Sequence, residues 1–542
     1  MKNFATFKRI LVLALALILA LSVFTGCGDK KGKGETKVSV ESKYGSTYPL
    51  EANGASLTVW KPLSAAISAL GYSSYGDLPV STELEKLTGV KIEYVQPSAA
   101  NSGEQFNLMM ASGELTDIIE YGWNYYPGGA KMAIADGIII PLNDMMDAGW
   151  APEFAELMEQ YPEVAKEAKT DDGVFFSTGT VAPDRELNTT AGPIVRLDWL
   201  EELGIEKPET IDEWYEMLKA FKEKKGVEIP LTLGLQGIGC GFIVGAYKTN
   251  YGFYHVDNKV IYGPAQPEFK EFLTTMKKWY DEGLLDRNFS TTDATTIQAN
   301  LINGKAATTW NALGGGIGTL TNAIKDKDPN AVFGGLPYIT HKKGETPWFG
   351  QASNRFGVKS AITTQCKDPE LAMKWLNFGY TEAGHMLLNF GIEGVSYEWV
   401  EKDGKKYPQY TKHITENEDG LSMSQAFQLY SQAGQGGNYR QDVRYLEQYA
   451  GLPQQQDAWK TWVNTDTFDH YVPTTNVADE DADEYAALAS EIDGYRDEMY
   501  IKFIMGTEPL ENFDKFVKTL NDMGLPRLLE IRQKAFDLYN AR

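Results

Sequence analysis

Three short apolar segments decide the fold: SLTVW (56–60), VKIEYV (90–95) and DIIEYG (117–122). Helical patterns lie between them, near 79–88 and through QFNLMMASG (105–113). Strands that alternate with helices are typical of a mostly parallel sheet with helices packed on its faces. The sequence therefore predicts an α/β fold whose first strand begins at residue 56.

The same alternation returns later in the chain. Strand-like segments occur at IPLTLGL (229–235), AVFGGLP (331–337) and RFGVKS (355–360). A helical pattern follows over 367–391, and further helical patterns continue to residue 540. A chain of 542 residues with this pattern predicts two or more domains.

Two segments, 210–226 and 268–283, have the apolar spacing of long amphipathic helices. Thr210 and Glu213 have the spacing of a capping box at the start of the first one. Aromatic stripes at helical spacing are typical of core faces. We therefore leave the aromatic residues of these two helices out of the candidate site.

The first residues have the pattern of an export signal. Basic residues precede an unbroken apolar run at 10–21, which is too short to span a bilayer, and Cys27 follows shortly after. The pattern of residues 1–26 resembles the signal peptide and lipobox of bacterial lipoproteins, which implies acylation of Cys27. The alternative is an ordinary secretory signal that ends near a cysteine. Residues 27–50, rich in Gly, Ser, Lys and Thr, predict a flexible tether.

Composition excludes several classes of partner. The net charge is −23, and removal of residues 1–26, which carry three basic and no acidic residues, brings it to about −26. Such a surface disfavours nucleic acid and anionic lipid headgroups. After Cys27, only Cys240 and Cys366 remain, so the sequence predicts no disulfide framework.

Motifs for catalysis, cofactors and metals are missing. The glycine-rich stretches lack the spacing of a dinucleotide fingerprint or a phosphate loop, and the five histidines are widely separated. The acidic stretch DEDADE (479–484) lacks the glycine and distal glutamate of a calcium loop. The sequence therefore predicts no cofactor, no metal site and no catalytic residue. A pair of carboxylates that hydrolyses glycosidic bonds stays open, because such a site is defined only in space.

Aromatic residues in loops form the candidate site instead. Glycine, proline and asparagine mark these segments as turns rather than helix faces. The candidate ligand-binding residues are Trp60, Trp123, Tyr125, Tyr126, Trp310, Trp348, Phe349, Arg355, Glu393 and Tyr397. Rings in loops suit sugars, because the apolar face of a pyranose stacks on a ring while nearby polar groups bond its hydroxyls. The alternative for each ring is packing between lobes or against a hinge.

The chain resembles the family 1 extracellular solute-binding proteins of carbohydrate ABC transporters, within a large lipoprotein subfamily of Firmicutes. The segments that carry the resemblance are LEKLTGVKIEY (84–94), FNLMMASGELTDIIE (106–120), DGIIIPLND (136–144), IVRLDWLEELGIEKPETIDEWYEMLKAFK (194–222), NGKAATTW (303–310), FGVKS (356–360), KDPELAMKWLNFGYTEAG (367–384), NFGIEGVSYEW (389–399) and FIMGTEPLENFDKFVKTLNDMGLPRLLEIRQKAFD (503–537). The stretch 171–192 departs from the family pattern, which leaves contacts there, including any from Arg185, without support.

This resemblance implies two α/β lobes joined by a hinge, with ligand bound in the central cleft. The expected N-terminal lobe is 51–185 plus 331–390, and the expected C-terminal lobe is 186–330 plus 391–542. It also implies a monomeric receptor that is anchored to the outer face of the cell membrane through Cys27. The receptor would capture an oligosaccharide and deliver it to the permease subunits of an ABC transporter.

Two other functions stay open from the residues alone. A receptor for a peptide or another small solute would depend less on the aromatic loops than on an arginine that holds a carboxylate, such as Arg355. A surface glycoside hydrolase would need two essential carboxylates.

Overall fold

The computed structural model describes residues 42–473, 475 and 477–542. Its strands are β1 Ser56–Trp60, β2 Lys91–Val95, β3 Ile118–Glu120, β4 Thr178–Val181, β5 Ala191–Arg196, β6 Ile229–Leu231, β7 Phe253–Val256, β8 Lys259–Tyr262, β9 Ala306–Ala312, β10 Phe333–Gly335, β11 Phe356–Ile362, β12 Tyr397–Lys402 and β13 Lys405–Tyr410.

The α-helices that precede β10 are α1 Ala65–Ala69, α2 Pro79–Thr88, α3 Ser102–Ser112, α4 Gly129–Ala135, α5 Asn143–Asp147, α6 Pro152–Gln160, α7 Pro162–Glu167, α8 Arg185–Asn188, α9 Leu197–Leu203, α10 Ile211–Lys224, α11 Leu235–Gly239, α12 Pro267–Asp281, α13 Ala294–Ile302 and α14 Thr319–Ile324. The later ones are α15 Pro369–Asn377, α16 Glu382–Phe390, α17 Lys412–Thr415, α18 Met423–Tyr430, α19 Val443–Tyr449, α20 Pro453–Trp462, α21 Thr467–His470, α22 Asp479–Met505, α23 Phe513–Asp522 and α24 Leu525–Asn540. Within the residues described, no helix is long and apolar enough to cross a membrane.

The N-terminal lobe is built on a five-stranded sheet in the order β2-β1-β3-β11-β4. Strand β1 runs parallel to β2 and β3, whereas β11 runs antiparallel to both β3 and β4. Four of the five strands therefore share one direction, but the reversed β11 makes the sheet mixed, with two parallel and two antiparallel pairings. The α/β class is confirmed, whereas the predicted predominance of parallel pairing is not.

The C-terminal lobe is built on a four-stranded sheet in the order β10-β5-β9-β6. Strand β5 is antiparallel to β9 and β10, and β6 is parallel to β9. In each sheet the one reversed strand, β11 or β5, is the first that the chain forms after it crosses from the other lobe.

Different hydrophobic clusters pack against the two main sheets, and a further cluster joins residues 67–84 to Leu429 and Tyr439. The two faces of the N-terminal sheet are covered by different clusters, one around Leu57 and Val59 and the other around Trp60 and Ile119. A larger cluster fills the C-terminal lobe and includes the aromatic stripe of α10, which begins with the predicted capping box of Thr210 and Glu213. The amphipathic helices predicted at 210–226 and 268–283 are therefore core helices.

Three crossing segments (181–190, 336–355 and 437–442) join the lobes side by side. The backbone N–H of Ala182 donates to the carbonyl oxygen of Arg355 at 2.8 Å, and that of Val181 donates to Tyr439 at 2.9 Å. The buried Asn389 amide donates to the Arg440 carbonyl at 2.9 Å and accepts from the backbone N–H of Asp442 at 2.9 Å. These bonds tie the three segments into one hinge region.

The predicted tether is wrong over residues 42–50. The backbone N–H of Lys43 donates to Glu370 at 2.9 Å, and the Tyr48 hydroxyl donates to the Lys374 carbonyl at 2.6 Å. Leu50 is buried in the N-terminal core. The aromatic and apolar residues of this stretch pack on α15. The prediction missed this packing because it rested on the average composition of residues 27–50. Residues 1–26, Cys27 and the rest of the tether lie outside the described residues.

One lobe assignment also needs correction. Strand β10 pairs with β5 of the C-terminal sheet, although the range 331–390 was assigned to the N-terminal lobe. The chain returns to the N-terminal lobe only at β11. The other boundaries stay predictions.

Candidate functional site

Four cavities form a row along the junction of the lobes. They are the tyrosine cavity (about 200 Å³, lined by Tyr445 and Tyr449), the amide cavity (about 280 Å³, lined by Gln428, Gln432 and Gln435), the lysine cavity (about 490 Å³, lined by Lys169 and Lys359) and the arginine cavity (about 160 Å³, lined by Arg355). Each shares a lining residue with the next: Gln435, Glu120 and Glu167 in turn. Neighbouring cavities therefore share walls, and the row of four is called the cleft below.

The middle of this cleft lies at the carboxyl ends of β1 and β3. Lys61 directly follows β1 and lines the amide cavity, and Tyr121 directly follows Glu120 of β3 and lines the lysine cavity. The two strands are parallel neighbours, so both ends meet at the same edge of the sheet. Ligands of open α/β sheets bind at this edge.

A buried ion pair separates the two middle cavities. Lys61 Nζ lies 2.5 Å from Glu120 Oε1, and the side chains are only 17% and 8% exposed. Ser360 Oγ donates to the other carboxylate oxygen at 3.2 Å. Burial alone would lower the pKa of Lys61, but the charge of Glu120 outweighs it and raises that pKa above its ordinary value. The pair is therefore charged and internally neutralised.

Uncharged polar groups line the rest of the amide cavity. Gln428 projects from α18, and Gln432 and Gln435 lie in the loop 431–436. Gln428 Oε1 is buried without a hydrogen-bond partner among the described residues. Burial raises the pKa of Tyr94 on the opposite wall to about 12, so its hydroxyl is neutral. Amide and hydroxyl groups both donate and accept, which suits sugar hydroxyls.

The lysine cavity combines rings with charge. Tyr121, Trp123 and Phe176 contribute rings, and Glu167 contributes a carboxylate. Burial raises the pKa of Glu167, although its carboxylate accepts hydrogen bonds from the backbone N–H groups of Phe356 at 3.1 Å and Arg355 at 3.4 Å.

An aromatic ring makes a close contact at each end of the cleft. In the tyrosine cavity, a Cβ at Gly314 would lie 2.3 Å from the Tyr449 hydroxyl oxygen, so glycine is required for the ring to approach the backbone. In the arginine cavity, the guanidinium carbon of Arg355 lies 4.3 Å from the centre of the Phe468 ring, in cation–π geometry.

Two of the predicted ligand-binding residues line these cavities: Trp123 in the lysine cavity and Arg355 in the arginine cavity. Trp60 lies one layer behind, 3% exposed, with its ring edge-on to Tyr121 at 5.2 Å. Tyr125 is 63% exposed, and the hydroxyl of the half-buried Tyr126 donates to Asp136 at 2.8 Å. Tyr125 and Tyr126 are outside the four described cavities.

Three predicted residues pack within the C-terminal lobe. Trp310 lies on β9 against the large core, and its Nε1 has no hydrogen-bond partner in the part of the chain described. The Trp348 ring stacks on His470, with ring centres 4.0 Å apart. Phe349 is 4% exposed and meets Tyr254 edge-on.

The last two predicted residues lie at the β12–β13 hairpin. Tyr397 is 4% exposed and packs against Phe390, and Glu393 next to it is exposed. The hairpin is apart from the four cavities. Ligand contact by any of the ten residues stays a prediction; the cleft favours Arg355, whereas Trp123 lines its cavity only with a ring that is 1% exposed.

Sequence reasoning missed most residues that line the middle of the cleft. Lys61, Glu120 and Tyr121 stand at or directly after the ends of predicted parallel strands, and this position was a usable signal. Lys359 is the one charged residue of β11, which was a second signal. The glutamines of the loop 431–436 had no comparable signal, because that loop reaches the cleft only through the arrangement of the lobes.

Metal and thiol chemistry gain no support from the geometry. Among the described residues, no group of three or more His, Cys, Asp or Glu side chains is arranged to hold a metal ion. Cys240 and Cys366 are free thiols, and burial raises the pKa of each to about 12. Both are therefore protonated, unreactive thiols.

Comparisons with known proteins agree with this geometry. The family model for bacterial extracellular solute-binding proteins matches residues 73–386. The fructooligosaccharide ABC transporter substrate-binding protein FusA of Streptococcus pneumoniae is 24% identical over 572 residues, covering 99% of this chain and 99% of FusA. The polygalacturonan/rhamnogalacturonan-binding protein YtcQ of Bacillus subtilis is 27% identical over 414 residues, covering 71% of this chain and 74% of YtcQ.

A solved structure shows the same fold. An extracellular solute-binding protein from Bifidobacterium longum subsp. infantis superposes with a TM-score of 0.70 at 19% identity, over 89% of this chain and 98% of that chain. At this identity the likeness concerns the two-lobed α/β fold alone.

Proposed function

The chain belongs to the bacterial extracellular solute-binding proteins, and from that premise we propose that it captures an oligosaccharide outside the cell and delivers it to the permease of an ABC transporter. It acts as a receptor, not as an enzyme. Relatives named for fructooligosaccharide and polygalacturonan binding support a carbohydrate ligand.

The cleft carries the proposal. Its four cavities follow one another along the lobes, as the residues of a short glycan would. The ring of Tyr121 lines the lysine cavity, and amides such as Gln428 and Gln435 line the neighbouring amide cavity. A sugar offers an apolar ring face and several hydroxyls, and this lining matches both.

The hinge region supports capture by lobe closure. Three crossing segments hydrogen-bonded side by side allow the lobes to rotate together while their cores stay intact. Ligand that contacts both walls of the cleft binds the closed arrangement more tightly, so binding shifts the population toward closure. The closed, loaded receptor is the form presented to the permease.

Anchoring at the membrane completes the proposal. Acylation of Cys27 would hold a monomeric receptor at the outer face of the cell membrane, since each buried methylene of a lipid chain contributes about 0.8 kcal/mol. Membership of an extracellular family supports this location.

The direct test is thermal unfolding of the purified protein with panels of neutral oligosaccharides, acidic oligosaccharides and peptides. A ligand at a hundred times its dissociation constant is expected to stabilise the protein by about 2.7 kcal/mol. A glycan that raises the unfolding midpoint and is recovered intact after long incubation agrees with the receptor. A shift with peptides alone contradicts the carbohydrate ligand, and cleavage of the bound glycan contradicts the non-enzymatic role.

Replacement of Gln435 by alanine is expected to weaken glycan binding about tenfold, because the residue borders both the amide and the tyrosine cavities. Its side chain is exposed, so the unfolding midpoint without ligand should stay unchanged. Titration calorimetry with the glycan found in the panel measures the loss. Gln105→Ala, at an exposed position on α3 away from the cleft, is the matched control. Equal affinities of the two variants would place the glycan elsewhere.

A further inference from the structure

The lysine cavity contains two lysine side chains that form no salt bridge among the described residues, although the Glu167 charge opposes the burial effect on the pKa of Lys359. Within the residues described, no carboxylate oxygen lies within 4.0 Å of Lys169 Nζ or Lys359 Nζ. Lys359 Nζ donates to the backbone oxygen of Glu167 at 3.3 Å and lies 5.3 Å from the centre of the Phe176 ring. Lys169 Nζ lies 4.6 Å from the centre of the Phe175 ring. By contrast, the well-buried Lys61 and Lys374 each have a glutamate partner.

The carboxylates that border this cavity are already engaged. Glu120 pairs with Lys61 at 2.5 Å, and the Glu167 carboxylate accepts from two backbone N–H groups of the crossing segment and β11. The guanidinium of Arg542 is likewise held by Asp171 at 2.7 Å. The two lysines are therefore the charged groups of this cavity that are left to a ligand.

Unpaired ammonium groups are unexpected in this chain. It carries 74 acidic and 51 basic residues, so carboxylates are abundant. Burying a cation without an anion is unfavourable unless an opposite charge arrives with the ligand. The neighbouring amide cavity shows the opposite arrangement, since its single lysine is neutralised by Glu120 and its other polar groups are uncharged.

We propose that the lysine cavity binds the carboxylate of a uronic acid residue, with Lys359 and Lys169 as its partners, while the amide cavity holds an uncharged sugar residue next to it. This assignment rests on the proposed carbohydrate function and narrows it to acidic oligosaccharides. The half-buried ring of Tyr121 stacks on the sugar ring that carries the carboxylate, and the buried Trp123 and Phe176 form the floor beneath it. A charge-assisted bond from each ammonium selects the acid over a neutral sugar of the same shape.

The test compares short oligouronides with their methyl esters, which keep the ring and remove the charge. Titration calorimetry on the unmodified protein is expected to show tighter binding of the acid by about tenfold or more. Lys359→Met and Lys169→Met should each bring the affinity for the acid to within a few-fold of that for the ester. Lys518→Met, on the exposed face of α23, should keep the full preference.

The outcomes separate this inference from the function on which it rests. Equal affinity of the unmodified protein for acid and ester, or binding of neutral oligosaccharides alone, overturns the acidic specificity and leaves the carbohydrate receptor standing. A preference for the acid that survives in both lysine variants overturns the role of the two lysines. Failure of every oligosaccharide to bind overturns both proposals.

A pH profile provides a second readout. Burial chiefly lowers the pKa of Lys359 to about 8. The charged groups around it are Glu167 on α7, Lys169 beyond that helix, Glu120 at the end of β3 and Arg542 beyond α24. The ligand carboxylate favours the protonated lysine, so the affinity for the acid should fall as the pH rises above about 8, by up to about tenfold per pH unit. The affinity for the ester should change far less, and a parallel decline of the two would contradict the assignment.

Discussion

Glu120→Gln is expected to destabilise the protein by about 3–5 kcal/mol, because it leaves the Lys61 ammonium buried without its anion. The glutamine keeps the size of the side chain, so the loss would come from charge rather than from a cavity. Denaturant unfolding at neutral pH measures it. Glycan affinity should fall as well, since Glu120 borders both middle cavities.

Two further variants isolate the electrostatic cause. Lys61→Met in the Glu120→Gln background removes the unpaired Lys61 charge and should recover most of the lost stability. Asp522→Asn breaks the exposed pair with Lys518, whose side chains are 63% and 72% exposed, and should cost less than about 0.5 kcal/mol. If Glu120→Gln costs no more than Asp522→Asn, the buried pair does not support the lobe.

Gly379→Ala is expected to destabilise the protein by about 3 kcal/mol, at the upper end of the range for overpacking. A Cβ at this position would lie 1.8 Å from the backbone oxygen of Asn438. Asn438 belongs to a crossing segment, and its side chain accepts from Thr178 at 2.7 Å and donates to Ser360 at 3.0 Å. A shift of this backbone would therefore disturb the hinge region and two strands of the N-terminal sheet together.

Thermal unfolding of the variant checks this expectation. The matched control is Gly494→Ala on the exposed face of α22, where a Cβ meets open space. Alanine has the higher helix propensity, so this control should gain about 0.5–1 kcal/mol. Similar unfolding midpoints for Gly379→Ala and the unmodified protein would contradict this expectation, because they would show that the Asn438 backbone moves aside at little cost in stability.

Local patterns predicted much of the fold. The alternation of strands and helices from residue 56 predicted the sheet of the N-terminal lobe, and Thr210 with Glu213 predicted the start of α10. These features depend on neighbours along the chain. Breaks within long helical patterns were missed. The pattern over 367–391 divides into α15 and α16 at Phe378–Tyr380, and the helical patterns that continue to residue 540 are interrupted before α24 at Gly524, whose φ is 104°.

Hairpins were also missed. Strands β7 and β8 are joined by Asp257 and Asn258, both with positive φ, a pair of turn residues that tolerate the left-handed region. Strands β12 and β13 are similarly joined at Asp403 and Gly404. The charged residues of β12 and β13 lacked an apolar alternation, because most of the hairpin faces solvent.

The candidate site was harder to predict, because it depends on how the lobes meet. Trp60 was correctly placed at the end of β1, yet Tyr121 covers it. The glutamines of the loop 431–436 are distant in sequence from the strand ends that they face. Sequence position identified one wall of the cleft, and only the packing of the lobes identified the other.

The position of β11 has a consequence for the order in which the chain folds. This strand lies between β3 and β4, and its Ser360 bonds to Glu120, a residue 240 positions earlier. When a chain crosses a membrane from its N-terminus, β3 emerges after β1 and β2 and keeps one edge unpaired, because all of β5 to β10 must follow before β11 arrives. Unpaired strand edges favour association with other chains. We therefore expect the N-terminal lobe to acquire its final structure after the C-terminal sheet has emerged, and to depend on a holding chaperone during that interval.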